Sequence, residues 1–401
     1  MKKLFFLLCF LLNSTFAFSQ WTKQNPVPTG NAMESVFFTN ATIGYTVGTN
    51  GTILKTTDSG ITWNAQSSGT TKDLESVFFT DANTGYCTGS FRTILKTING
   101  GSVWTVLSSG ENYLSSVYFT DANTGYAVGN GATILKTIDG GTNWTALSIG
   151  IPSYYYFHSV YFTDANTGYA VGFSGTILKT INAGTNWSTL SIGSTIILNS
   201  VYFPDAFTGY VVGQDELLKG IIFKTINGGT NWVALSSGTN QPLYSVFFTD
   251  ANTGYILGAG GTILKTKDGG TTWNVQLSGT TYDLFSVYFT DANTGYAVGW
   301  NGTILKTANG GGHPAGMIDL SSKSNVLHIY PNPSSTQVTI ETSGIPTKSQ
   351  LCIMNLSGQQ LITRQITEPK TQLDISALPS GVYFVRLTNN RTVEVVKIIK
   401  Q

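Results

Sequence analysis

Ser116–Trp144 reads SVYFTDANTGYAVGNGATILKTIDGGTNW. Strand-forming runs alternate here with turn-forming ones. The expected strands are Ser116–Phe119, Gly125–Gly129, Thr133–Thr137 and a fourth starting at Trp144, because β-branched and aromatic residues dominate each run. An Asp-Ala-Asn-Thr-Gly turn, a glycine-rich turn and an Asp-Gly-Gly-Thr-Asn turn separate them. Their residues tolerate positive φ or hydrogen-bond their own backbone.

Close copies of this unit fill most of the chain. The tyrosine after the turn glycine recurs at Tyr45, Tyr86, Tyr126, Tyr169, Tyr210, Tyr255 and Tyr296, in steps of 41, 40, 43, 41, 45 and 41. Four strands in about forty residues is the period of a β-propeller blade. A solenoid could share that period, so the chain ends decide. In the seventh repeat Pro314 stands where the others have tryptophan. An orphan Trp21-Thr22-Lys23-Gln24 lies 42 residues before Trp63, in register with it. An N-terminal strand completing the last blade would shut a ring and remove an exposed edge, and a solenoid has no use for that exchange. The reading is all-β: a seven-bladed propeller over residues 20–312, closed by its N-terminal strand.

Composition agrees. Charged residues make up 11% of the chain, aromatic residues 12%, and there are 45 glycines, which suits tight-turned β-structure rather than helical bundles. The net charge of +1 gives no electrostatic basis for binding nucleic acid or an anionic membrane. His158, His313 and His328 are scattered without metal-ligand spacing, and no cofactor motif is present. Cys87 and Cys352, 265 positions apart, are expected to be buried free thiols.

Residues 1–19 have the three parts of a secretory signal: Lys2 and Lys3, an apolar run Leu4–Leu12, and Ala17-Phe18-Ser19 as a small-x-small cleavage site. That run is too short for a transmembrane span. Cys9 sits inside the apolar run rather than after a lipobox, which argues against a lipoprotein. At the other end, residues 313–325 lose the repeat and read as a linker. From Val326 to the terminus the runs Val326–Tyr330, Gln337–Ser343, Gln350–Leu356, Gln360–Ile366, Thr371–Ser376, Gly381–Thr388 and Thr392–Ile399 alternate in polarity. They suggest a small Ig-like antiparallel β-sandwich.

Two resemblances follow from these motifs. Thr56–Trp63 and Thr266–Trp273 look like Asp-boxes, the hairpin motif of bacterial neuraminidase-type repeats, with Asn in place of Asp at Asn99, Asn182, Asn227 and Asn309. Together with Gly-Tyr-Ala-Val-Gly and Ile-Leu-Lys-Thr, the repeat over residues 21–312 is similar to the photosystem II stability and assembly factor family of propellers. The tail carries Tyr330-Pro331-Asn332-Pro333, Leu378-Pro379-Ser380-Gly381-Val382-Tyr383 and Lys397-Ile398-Ile399-Lys400. It resembles the C-terminal sorting domain of the Bacteroidetes type IX secretion system. That resemblance implies export across both membranes by the type IX machinery, then release or attachment at the cell surface. A photosynthetic role would be at odds with such a tail.

Comparison between blades locates a candidate site. Both Asp-containing turns fall on one end of every sheet and barely vary, which suits a structural role. The inter-blade connections and the turns after Tyr-x-x-Gly fall on the other end and do vary. There the position before each Ser-Val pair reads Glu34, Glu75, Ser115, His158, Asn199, Tyr244 and Phe285. The adjoining segments add Arg92 beside Phe91, Phe173, Asp215 with Glu216, and Trp300 with Asn301, while Tyr155 lies in the longest connection. Aromatic rings beside amides and carboxyls could stack on sugars and bond hydroxyls, or hold a protein partner.

Enzymatic readings are weaker. A sialidase needs several arginines around a substrate carboxylate, and residues 20–312 hold only Arg92. Another glycoside hydrolase would need two carboxyl groups across a cleft, which Glu34, Glu75, Glu111, Asp215 and Glu216 could supply without any one pair standing out. The Asp81-Ala82-Asn83-Thr84-Gly85 type of turn starts like a calcium loop but lacks the distal acid, so an Asx-turn is expected. The sequence therefore predicts a secreted, non-catalytic binding propeller with an extracellular glycan or protein partner. A polysaccharide-active hydrolase on the same scaffold is the alternative.

Overall fold

The computed structural model describes residues 20–24, 27–108, 110, 112–193, 195–312, 327–342, 349–356, 358–388 and 393–401. The expected signal segment 1–19, linker 313–325 and Glu111 lie outside these. The chain divides into two compact units, Met1–Gly312 and His313–Gln401.

The first unit is all-β and propeller-like. Seven four-stranded antiparallel sheets occur among its described residues, and six of them use four consecutive strands. The sheet at Leu114–Phe119, Gly125–Gly129, Ile134–Thr137 and Thr145–Ala146 is representative. The remaining sheet combines Leu284–Phe289, Gly295–Gly299 and Thr303–Thr307 with Thr22–Lys23 from the other end of the unit. Thr22 pairs with Lys306 and Lys23 with Leu305. Trp21 is fully buried and packs edge-on against Tyr255 and Phe289, as Trp104 packs against Phe79.

Burial follows strand position. Second strands such as Gly125–Gly129 are buried at every residue, because sheets cover both of their faces. Fourth strands such as Thr145–Ala146 are exposed. The core is accordingly divided into slabs between neighbouring sheets. Tyr45, Val47 and Ile53 of one sheet pack with Leu74, Val77, Phe79 and Trp104 of the next. Met33, Val36, Phe38 and Trp63 pack in the same way with Tyr296, Val298 and Ile304.

Three repeated interactions explain the invariant residues. The first strand's Ser Oγ accepts a hydrogen bond from the Val N–H of the neighbouring sheet, as Val77 to Ser35 at 3.2 Å. The same bond passes through Val117, Val160, Val201, Val246 and Val287, and Val36 donates to Ser286 to complete the circuit. Beside it, Phe37, Phe78, Tyr118, Tyr161, Tyr202, Phe247 and Tyr288 form a second circuit. Successive ring centroids are 5.1–5.5 Å apart. Further out, the second-strand tyrosine and third-strand lysine donate to one carbonyl in the neighbouring Asp-box turn. Tyr45 Oη and Lys55 Nζ meet Gly100 O at 2.8 and 2.7 Å, and Tyr296 and Lys306 meet Ser59 O at 2.7 and 2.6 Å. The lysines are thus latches between sheets.

Close approach accounts for both glycines of Gly-Tyr-x-x-Gly. A Cβ on Gly125 would lie 2.6 Å from the Phe119 ring, and one on Gly129 would lie 1.8 Å from the Tyr113 carbonyl oxygen. Cys87 lies buried and free in this unit's core.

The second unit has two antiparallel sheets. One orders Leu327–Tyr330, Gln337–Thr342 and Lys370–Asp374; the other orders Gln360–Ile366, Ser349–Met354, Gly381–Thr388 and Val393–Lys400. Residues from both, including Val338, Ile340, Leu351, Ile353, Val385 and Ile398, share one core. Cys352 is buried nearby as a free thiol. No helix among the described residues is long and apolar enough to cross a membrane.

Candidate functional site

The two ends of the first unit's sheets use their polar groups differently. At the Asp-box end the side chains are consumed locally. Asp81 Oδ1 accepts the N–H groups of Asn83 and Thr84 at 2.7 and 2.9 Å, an Asx-turn rather than a cation loop. Asp58 accepts from Thr62 N–H and both threonine hydroxyls, Thr56 and Thr62, and these bonds hold its carboxyl down at about 2.

At the opposite end a recurring hydrogen bond ties each inter-blade connection to the turn that follows the second strand. Ser90 N–H bonds Asp73 O, Asn130 bonds Tyr113, Phe173 bonds Tyr156 and Trp300 bonds Asp283, at 2.9–3.0 Å. This bond is why the candidates from connections, first strands and turns stand at one end of the sheets. A bulge in the first strand, between Met33 and Ser35 for example, leaves the intervening residue out of the regular ladder. Glu34, Glu75, Ser115, His158, Asn199, Tyr244 and Phe285 all occupy that bulge position.

These residues fall into separate groups. Glu34 and Glu75, on neighbouring sheets, form an acidic pair with Asp73. Burial, then the charges of Glu75 and Asp73, push the Glu34 carboxyl up to about 8. Burial also raises Glu75, opposed by a hydrogen bond from the Tyr113 hydroxyl. Tyr113 is itself raised by burial and by the Glu75 charge. The Tyr113 ring lies 5.7 Å from Tyr156, which stacks on Phe173 at 5.4 Å and approaches His158 at 4.6 Å. Burial keeps His158 neutral, lowering it to about 4, and its Nε2 is buried with no hydrogen-bond partner among the described residues. Acid pair and aromatic group are therefore continuous through Tyr113. On another side Tyr244 meets Phe285 at 5.5 Å, and Phe285 meets the half-exposed Trp300 at 6.3 Å. Asp283 bonds the Tyr244 hydroxyl.

The other candidates stand apart. Asn199 Nδ2 donates to Leu243 O at 2.8 Å, bridging two sheets. Arg92 N–H bonds Asn112 O, and Arg92 and Phe91 both have positive φ, 51° and 56°. Lys72 Nζ sits 4.0 Å over the exposed Phe91 ring. Tyr155 stacks on Tyr154 at 4.9 Å, whereas its neighbour Tyr156 joins the central group. Tyr113, Tyr156 and Asp73 are the members that sequence reading missed. Their signal was available: each directly precedes the buried first residue of a first strand, two positions earlier than the column inspected. No three groups among the described residues converge to hold a metal ion.

This architecture defines an all-β, Asp-box propeller-like protein whose two ends differ in how they use their polar groups. Its repeats match the photosynthesis system II assembly factor YCF48 family in overlapping segments, 13–112, 62–148, 109–241, 189–277 and 230–323. The chain belongs to that family. Residues 328–401 match the secretion system C-terminal sorting domain, which directs type IX secretion to the cell surface or extracellular space. Among solved structures, YCF48 bound to a D1 peptide is 20% identical (TM-score 0.61), covering 73% of this chain and 96% of that one. YCF48 from Cyanidioschyzon merolae is 21% identical (TM-score 0.60), covering 72% and 98%. PorZ, a surface component of the type IX secretion system of Porphyromonas gingivalis, is 12% identical with a TM-score of 0.54. It covers 92% of this chain and 59% of its own. At these identities the likeness is one of fold. No curated protein sequence matches the chain.

Proposed function

We propose that this protein is a secreted or cell-surface, non-catalytic seven-bladed propeller, residues 20–312, closed by its N-terminal strand. It binds an extracellular glycan or protein through its variable end. In this reading residues 1–19 are a signal peptide, 313–325 a linker and 326–401 an Ig-like sorting domain engaging the type IX machinery. The observation that carries the binding role is the gathering of Tyr113, Tyr156, His158, Phe173, Tyr244, Phe285 and Trp300 beside carboxyl groups at one end. The other end spends its polar groups on its own turns. A protein partner has additional support from the similar fold captured with a peptide.

The Glu34–Glu75 pair favours a second reading, a glycoside hydrolase. That chemistry needs one carboxyl protonated and the other ionised; burial pushes Glu34 up to about 8, while the rise that burial gives Glu75 is opposed by the Tyr113 hydrogen bond. One experiment separates the readings: glycans and surface-protein extracts are screened against the purified chain, recording retention and released sugar together. Retention without release, lost in Trp300→Ala and Phe173→Ala but kept in Ile138→Ala at the opposite end, is the expected result. Release abolished by Glu34→Gln would replace binding with hydrolysis.

A further inference from the structure

We infer that the mouth formed by Glu34, Glu75, Tyr113, Tyr156 and His158 receives a basic side chain, lysine or arginine, of a protein partner. This deepens, and rests on, the partner-binding reading.

Charge complementarity is the first argument. Glu34 and Glu75 face each other from adjacent sheets with Asp73 beside them, and all three are acids. Among the described residues neither glutamate has an ion-pair partner; the charged groups that act on Glu34 are Glu75 and Asp73, and the Tyr113 hydroxyl bonds Glu75. Carboxyl groups taken from water without a cation are costly, and in a structural role they would be paired or replaced. The equivalent positions in other blades show that replacement is available: the same bulge holds Ser115, Asn199 and Phe285. A cation placed between the two acids would stabilise both as carboxylates.

The second argument is the wall beside the acids. Tyr113 carries the acid pair over to Tyr156, Phe173 and His158, whose rings are 4.6–5.7 Å apart. Aromatic faces next to a carboxylate suit an ammonium or guanidinium group, which is attracted to the ring face while its N–H donors reach the acid. The neutral His158 offers a buried Nε2 with no partner among the described residues, able to accept one such donor. Chelation of a metal ion is disfavoured, because no three groups among the described residues converge to hold one. A sugar, being uncharged, gains nothing from the negative charge gathered here.

Occupancy would then release protons, since the Glu34 acid must ionise to pair with the guest. Binding should strengthen as pH rises toward the raised Glu34 value, by up to tenfold per unit. Histidine ionisation on the wall does not interfere, because it falls well below that window.

The test uses the whole exported chain and a fluorescein-labelled acetyl-(Gly-Arg)4-amide probe, with the (Gly-Lys)4 and (Gly-Glu)4 peptides for comparison, read by fluorescence polarisation at pH 6.5 and 8.5. Glu34→Gln/Glu75→Gln removes the pair; Asp139→Asn/Asp268→Asn removes equal charge from the Asp-box end, where other repeats already carry asparagine. The expected result is binding of the basic probes only, tighter at pH 8.5, weakened at least tenfold by the first double variant and unchanged by the second. Equal losses in the two variants, no pH dependence, or no binding of the basic probes at millimolar concentration would each overturn the inference. Melting curves certify folding, and Glu34→Gln is itself expected to stabilise. If a captured partner depends on Trp300 but ignores Glu34→Gln/Glu75→Gln, the basic-side-chain inference falls while the binding reading stands. Indifference to Trp300→Ala and Phe173→Ala as well would remove that reading too.

Discussion

Trp21→Ala tests whether the N-terminal strand is an integral part of the last sheet. Trp21 is fully buried and meets Tyr255 at 6.2 Å and Phe289 at 5.8 Å, both nearly perpendicular to it. Its strand is further held by Gln20 N–H to Leu277 O at 3.1 Å and Gln24 N–H to Ile304 O at 2.8 Å. Truncating a buried tryptophan to alanine costs about 3–5 kcal/mol, including the cavity left behind. In a unit of this size about 2 °C of melting temperature is lost per kcal/mol, so a drop of roughly 6–10 °C is expected. Trp104→Ala is the internal standard, because Trp104 makes the same edge-on contact, 5.9 Å from Phe79, within an uninterrupted repeat. Calorimetry and circular dichroism on the chain starting at Gln20 should show the two variants falling within about 1 kcal/mol of each other. If Trp21→Ala melts with the unmodified protein while Trp104→Ala does not, the N-terminal segment contributes nothing to the core and the closure argument is wrong.

Two further outcomes follow from the geometry. Glu34→Gln should raise stability increasingly with pH: the folded-state carboxyl sits near 8 against an ordinary 4.5, so the folded state alone keeps the proton between those values and loses stability as pH climbs through them. The gain should be near zero at pH 4.5 and about 3–5 kcal/mol by pH 8.5, read from denaturant midpoints; a gain independent of pH would contradict the burial of this acid. Gly129→Ala should destabilise by more than 1–3 kcal/mol, the usual range for overpacking, because its Cβ would stand 1.8 Å from a backbone carbonyl that cannot move without opening the inter-blade connection. A thermal shift under about 2 °C would show that the strand relaxes freely.

Much of this was legible because a repeat is an internal comparison. The seven tyrosines announced seven equivalent units, and two strands of the tail, Gln360–Ile366 and Gly381–Thr388, coincide with runs read from the sequence. The reasons for some invariant residues were not legible. No role was read for Ser35 and its equivalents, and the lysines of Ile-Leu-Lys-Thr, the same in every repeat, pointed only to fold or solubility. Their work is done across sheet boundaries, on a Val N–H and on an Asp-box carbonyl some 40 or more residues away. The candidate site was legible as a column of variable residues but not as a set of contacts. Tyr155 was chosen from the longest connection, yet it stacks on Tyr154, and it is Tyr156, directly before the strand Phe157–Phe162, that meets His158 and Phe173.

The sequence by itself determined the period, the all-β character, the two compositional regions and which end of each repeat varies. These are local properties: turn chemistry, strand propensity and alternation act over a few residues and leave their mark in them. Tertiary structure decided the rest. The N-terminal strand lies beside Thr303–Thr307, and Glu34 stands against Glu75 with its acidity shifted. His158 is held neutral among aromatic rings, and the lysines became latches. Each depends on burial and on partners distant in the chain, and electrostatic and packing energies are set by those three-dimensional neighbours rather than by sequence neighbours.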